Sequence, residues 1–116
     1  MKRTIETKFY TFSQNNSGGS FVTDSIRGIG EYVIIEALNS NDANDRAERI
    51  GLYFDGCDYG MDCPCCGDRW SRAWRDDGDD VPSIYGSPVE DVKKSTFRNI
   101  AFVHYFDGTF KEVKLK

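Results

Sequence analysis

Glu31 to Gly51 reads EYVIIEALNSNDANDRAERIG, and the spacing of its apolar residues changes halfway along. Tyr32, Val33, Ile34 and Ile35 follow one another without a polar break, which fits a strand covered on both faces, central in its sheet. The spacing then opens: Ala43, Ala47 and Ile50 fall at i, i+4 and i+7, one face of a helix. Ser40 or Asn41 is the expected N-cap, acidic Asp42 suits the first turn, and Gly51 supplies the stop. The two alanines allow a close approach to the sheet, with Asp42, Asp45, Arg46, Glu48 and Arg49 turned to water.

Working outward, KFYTFS (8 to 13) carries aromatic and β-branched residues suited to a pleated surface and predicts a first strand. SQNNSGGS (13 to 20) concentrates loop residues; no Gly-Lys-Ser/Thr follows it, so it is not a phosphate-binding P-loop. LYF (52 to 54) begins a strand or an extended approach to the cysteines, and RWSRAW (69 to 74) alternates so that Trp70, Arg72 and Trp74 project together if it is a strand. A short edge strand is expected over Ser83 to Tyr85. At the far end NIAFVHYF (99 to 106) and TFKEVKLK (109 to 116) flank Asp107-Gly108, a strong short-range hairpin signal. The expected fold is α+β: a single mainly antiparallel sheet, one short helix on one face, and a cysteine-bearing loop, all in one domain spanning 1–116.

A chain of 116 residues with 14% aromatics can bury one core and is too rich in aromatics to be disordered. No apolar run approaches the roughly 20 residues that span a bilayer, and the first eight residues lack the apolar stretch of a secretory signal, so a cytosolic protein with no membrane partner is expected. A net charge of −4 opposes generic binding to a phosphate backbone. RDDGDD (75 to 80) lacks the alternating ligands and terminal Glu of a calcium loop; it reads as a solvated turn, with nucleic-acid mimicry the functional alternative.

The chemistry is concentrated in DCPCCGDRW (62 to 70), which holds three of the four cysteines. Cys63-Pro64-Cys65-Cys66-Gly67 has the Cys-x-x-Cys spacing of a tight turn whose amides face bound sulfurs, and it resembles the Cys-Pro-x-Cys-Gly knuckle of zinc ribbons. A ribbon needs a second knuckle, which the sequence lacks. A four-ligand zinc site therefore recruits Cys57 with Cys63, Cys65 and Cys66, and His104 is the substitute fourth ligand. The competing uses are a disulfide, a redox Cys-x-x-Cys and unligated thiols. A reducing cytosol opposes the first, and no helix starts after the motif to support the second. Four protein ligands would make the zinc structural. With one histidine and no recognisable carboxylate pair, no enzyme is expected.

FYTFSQNNSGGSF (9 to 21), YVIIEA (32 to 37), RAERIGLYFDG (46 to 56) and DCPCCGDRW (62 to 70) together resemble a family of small accessory proteins carried by tailed bacteriophages. The resemblance implies a place of action, the cytoplasm of the infected bacterial host, and binding as the mode of action. Three binding roles follow. The first is a zinc-stapled module that docks on a host protein and modulates it, as a counter-defence factor would, with Trp70, Trp74, Tyr59 and Tyr85 as contacts. Each of these aromatics has core packing as its ordinary alternative. The second is an oligomeric sink for a signal nucleotide or other small anion, held by Asn15, Asn16, Gly18 and Gly19 of the loop with Arg69, Arg72 or Arg75. The third is a zinc knuckle that binds nucleic acid, which the net charge opposes.

Overall fold

The computed structural model describes residues 6–15, 21–62, 67–75, 77–92 and 100–115. Strands β1 (Lys8–Ser13), β2 (Tyr32–Ala37), β5 (Ile100–His104) and β6 (Phe110–Lys114) form a four-stranded sheet in the order β1-β2-β5-β6. A separate two-stranded ladder joins β3 (Ser83–Ile84) to β4 (Ser87–Pro88), followed by a single 3-10 turn over Val89–Asp91. The outer pairs β1–β2 and β5–β6 are antiparallel, and the central pair β2–β5 is parallel, with Tyr32 opposite Ala101 and Ile35 opposite His104. The α+β arrangement with a mainly antiparallel sheet and one short helix is thus observed, with a parallel seam at its centre that the sequence did not announce.

β2 is covered on both faces. Val33, Ile35 and Ala37 join Tyr10 and Phe12 of β1, Ala43 and Ala47 of helix α1 (Ser40–Ile50), and Leu52, Phe54, Trp70 and Ala73 beyond it. On the opposite face Tyr32 and Ile34 pack with Ile84, Val89, Ala101, Val103 and Leu115. The segment between the helix and β3 starts on the first face and crosses the free edge of β1, where Asp79 and Phe9 exchange backbone hydrogen bonds of 2.8 and 2.9 Å. Gly78 makes that crossing possible, since a Cβ there would lie 2.8 Å from the Cβ of Lys8.

The N-cap of α1 is Asn39, one residue earlier than expected: its extended backbone (φ −163°) lets the side-chain oxygen accept the Asp42 N–H at 2.8 Å. Asp42 returns the bond to the Leu38 N–H at 3.0 Å, so two otherwise unpaired donors are satisfied reciprocally. Gly51, at φ +118°, ends the helix as expected. Arg46 ties the helix to the β5–β6 turn, pairing with Asp42 at 3.0 Å, donating to the Phe106 carbonyl at 3.1 Å and lying over the Phe106 ring. Replacing Asn39 with Ala should lower stability by about 1 kcal/mol, measured by urea denaturation, because an N-cap oxygen contributes that much to a helix start.

Candidate functional site

The cysteine segment hangs from a tight turn. Asp55 adopts φ +58°, a conformation that Asp tolerates, and the Gly56 carbonyl accepts the N–H groups of Met61 (2.8 Å) and Asp62 (3.1 Å). Asp62 is thereby driven inward. Its buried carboxylate accepts from the Arg69 backbone N–H (2.8 Å) and the Tyr53 hydroxyl (2.8 Å), and lies 3.7 Å from the Arg69 guanidinium. Arg69 also donates to Tyr53 at 3.2 Å and to the side chain of Gln14 at 2.9 Å. Gln14 is fully buried and its amide holds the backbone of Val22 and Gly30. One polar lock therefore joins the end of β1, the approach to β2 and both ends of the cysteine segment.

Cys57 lies within this lock. Its N–H donates to Asp68 at 2.9 Å, so it sits beside the chain just past Cys66. Partial burial, the hydrogen bond to Asp68 and the charges of Asp68, Asp62 and Asp58 push the thiol up to about 11. A free thiolate is disfavoured there, which opposes nucleophilic or redox use of Cys57. The same three carboxylates favour a cation. Cys63, Cys65 and Cys66 fall outside the described residues. Among the described residues no group of three or more metal-ligating side chains forms. His104 is buried at the end of β5, where its Nε2–H donates to the Gly28 carbonyl at 2.7 Å and its ring stacks on Phe110 at 4.9 Å. Burial holds its pKa below the usual histidine range.

After Arg69 the chain does not form the expected strand. Trp70 and Ala73 turn into the core, while Arg72 and Trp74 face outward. The expectation that Trp70, Arg72 and Trp74 project together is therefore corrected. The reason lies in α1: the Asn44 side chain accepts the Ala73 N–H at 2.8 Å and donates to its carbonyl at 3.1 Å, taking the backbone groups a strand neighbour would need. Between this anchored segment and the start of α1 lies a cleft of about 720 Å³. Trp74 stands on its rim with 75% of its surface exposed. Arg72 pairs with Asp55 at 2.7 Å above the Phe54 ring, while Arg75 makes no ion pair among the described residues.

Asn15, expected to grasp a ligand, holds the carbonyls of Arg69 (2.9 Å) and Asp68 (3.3 Å) with its N–H and side chain. Asn16, Gly18 and Gly19 lie outside the described residues. The polar lock was missed from sequence, since Gln14 and Arg69 are separated by 55 positions and nothing in either stretch points to the other.

With this geometry in place, comparison with known proteins assigns the chain to a class. Residues 7–116 match the family described as a domain of unknown function, DUF7296, and the chain belongs to that family. No curated protein and no solved structure matches it. No helix among the described residues is long and apolar enough to cross a membrane.

Proposed function

We propose that the protein is a non-enzymatic binding module, a phage accessory protein that docks on a host protein in the infected cytoplasm and modulates it, with counter-defence as the form such modulation takes. The observation that carries this reading is Trp74, a large aromatic three-quarters exposed on a wall fixed by buried Trp70 and the Asn44–Ala73 clamp. A rigid, exposed Trp beside an Arg is the side-chain pairing that dominates interface energies. Tyr59 and Met61, in the turn before the cysteines, are also exposed. A structural zinc held by Cys57, Cys63, Cys65 and Cys66 staples that turn. The cysteines are preferred to His104 because its Nε2 is already committed to Gly28.

Trp74→Ala should leave stability within about 0.5 kcal/mol, as a surface substitution does. It should remove the partner recovered when tagged protein is captured from the infected host and the partner is identified by mass spectrometry. Recovery of the same partner by wild type and Trp74→Ala would sink the docking role of the cleft. A second reading is supported by the volume of the cleft, which falls in the range of small-ligand sites, and by Arg75 at its edge. Under that reading the cleft holds a small anion, and native mass spectrometry of protein purified from its host would find it retained.

A further inference from the structure

His104, only 6% exposed, lines two hollows of about 550 and 170 Å³ between the last turn of α1 and the β5–β6 hairpin. The hollows share Arg49, Ile50, His104 and Gly108. With Nε2–H donated to Gly28, the ring carries its lone pair on Nδ1, which has no hydrogen-bond partner among the described residues. Nδ1 is not sealed in the interior either, so this lone pair opens into the space the ring lines. The ring is fixed in that pose. Gly28, at φ +73°, leaves room for it, since a Cβ there would lie 2.7 Å from Nε2 and 2.8 Å from the Phe110 ring. Phe110 stacks on the imidazole from β6 and keeps 39% of its own surface exposed.

The charge around this acceptor is positive. The lining holds Arg27, Arg46 and Arg49 against one carboxylate, Glu48, in a chain whose net charge is −4. Arg46 is committed to Asp42 and to the Phe106 carbonyl. Arg27 is paired loosely, to Asp24 at 3.5 Å, and its guanidinium reaches across the helix end, where a Cβ at Gly51 would lie 3.1 Å from Nη1. Arg49 makes no ion pair among the described residues. Its ordinary role, offsetting the negative end of α1, leaves its donors free for a ligand. A metal ion is a poor match, because Glu48 alone among the lining residues could join His104 as a ligand.

Two guanidinium groups call for an anion, the Nδ1 lone pair calls for a donor, and Phe110 offers a surface for a flat, apolar group. The larger hollow falls in the size range of small-molecule sites and is roomier than a bare anion requires. We propose that it binds a nucleoside monophosphate. The phosphate lies between Arg27 and Arg49, a hydroxyl or amino group of the nucleoside donates to Nδ1 of His104, and the base rests against Phe110. This site is separate from the Trp74 cleft and goes beyond the docking role, on which it does not depend.

The test uses the full chain with AMP, adenosine and inorganic phosphate as probes, followed by calorimetry and by long-range proton–nitrogen NMR of the imidazole. His104 is the only histidine, so its two nitrogens are read without ambiguity. AMP should shift the Nδ1 resonance and leave Nε2 in place, and it should bind more tightly than either adenosine or phosphate. Arg49→Gln and Arg27→Gln should each weaken AMP about tenfold, the loss of one hydrogen bond to a charged group, at unchanged Tm. Lys8→Gln, the same charge change at the opposite edge of the sheet, should leave the affinity unaltered. No heat and no Nδ1 shift at millimolar AMP would overturn the site, as would AMP binding that leaves Nδ1 unmoved. Phosphate binding as tightly as AMP would remove the nucleoside from the proposal and overturn it. If Arg75→Gln carries the loss in place of Arg49→Gln, the anion sits in the Trp74 cleft and this site fails, while capture through Trp74 is judged by its own experiment.

Discussion

Gly56→Ala should destabilise the fold by about 3 to 5 kcal/mol, the range for breaking a buried ion pair. A Cβ at position 56 would lie 1.9 Å from Oδ2 of Asp62 and 2.9 Å from the Tyr53 ring. The obstacle is space, not conformation, because Gly56 does not need a left-handed backbone. Something must move, and the movable group is the carboxylate on which Arg69 and Tyr53 depend. Arg69 is itself buried, so a displaced Asp62 takes the carboxylate away from a guanidinium that has little water to replace it. For a domain whose whole stability is on the order of 5 to 15 kcal/mol, such a loss lowers Tm by roughly 15 °C or more. Asp62→Ala should cost a similar amount, and the Gly56→Ala, Asp62→Ala double variant should lose little more than either single one, because both break the same lock. Additive losses, or a Gly56→Ala melting curve that overlays wild type, would refute the account.

The second large effect is expected from metal removal. If the four cysteines hold zinc, reduced protein from its host should carry one equivalent by elemental analysis. A chelator should then lower its melting temperature steeply, since structural zinc in a small finger contributes on the order of 10 to 16 kcal/mol of binding free energy. Cys57→Ser should lose the metal although its backbone N–H can still bond to Asp68. The turn explains why the effect should be large: Asp58, Asp62 and Asp68 all act on Cys57, and a divalent cation relieves their repulsion as it deprotonates the thiol. Metal-free protein with an unchanged melting curve after chelation would leave the polar lock as the only staple of this segment.

The elements legible in the sequence are those whose signals are local. β1 occupies Lys8–Ser13, the span its aromatic and β-branched residues indicate, and the Asp107-Gly108 turn joins β5 to β6 as its dipeptide predicts. The unbroken run in β2 announced contact on both faces, and two separate clusters provide it. RWSRAW misled because alternation is only one requirement of a strand: the segment also needs a neighbour with free backbone groups, and Asn44 claims Ala73 first. Of the candidate site, Cys57, Arg72 and Trp74 were recognisable by residue type, but the lock around Asp62 was not. Its members are ordinary polar residues that meet only once β1, the turn at Gly56 and the chain after Gly67 have been folded together.

The parallel seam at the middle of the sheet also governs how the chain is made. Tyr32 and its partner Ala101 are 69 positions apart (101 − 32), so β2 cannot acquire its second neighbour until synthesis has passed Ala101. At a synthesis rate of about 5 to 20 residues per second, that interval lasts roughly 3 to 14 s, during which Val33, Ile34 and Ile35 have only β1 beside them. Ribosomes stalled between Ala37 and Ile100 would therefore display a strand with one edge open, and the yield of native protein should depend on how quickly the stretch up to His104 is translated.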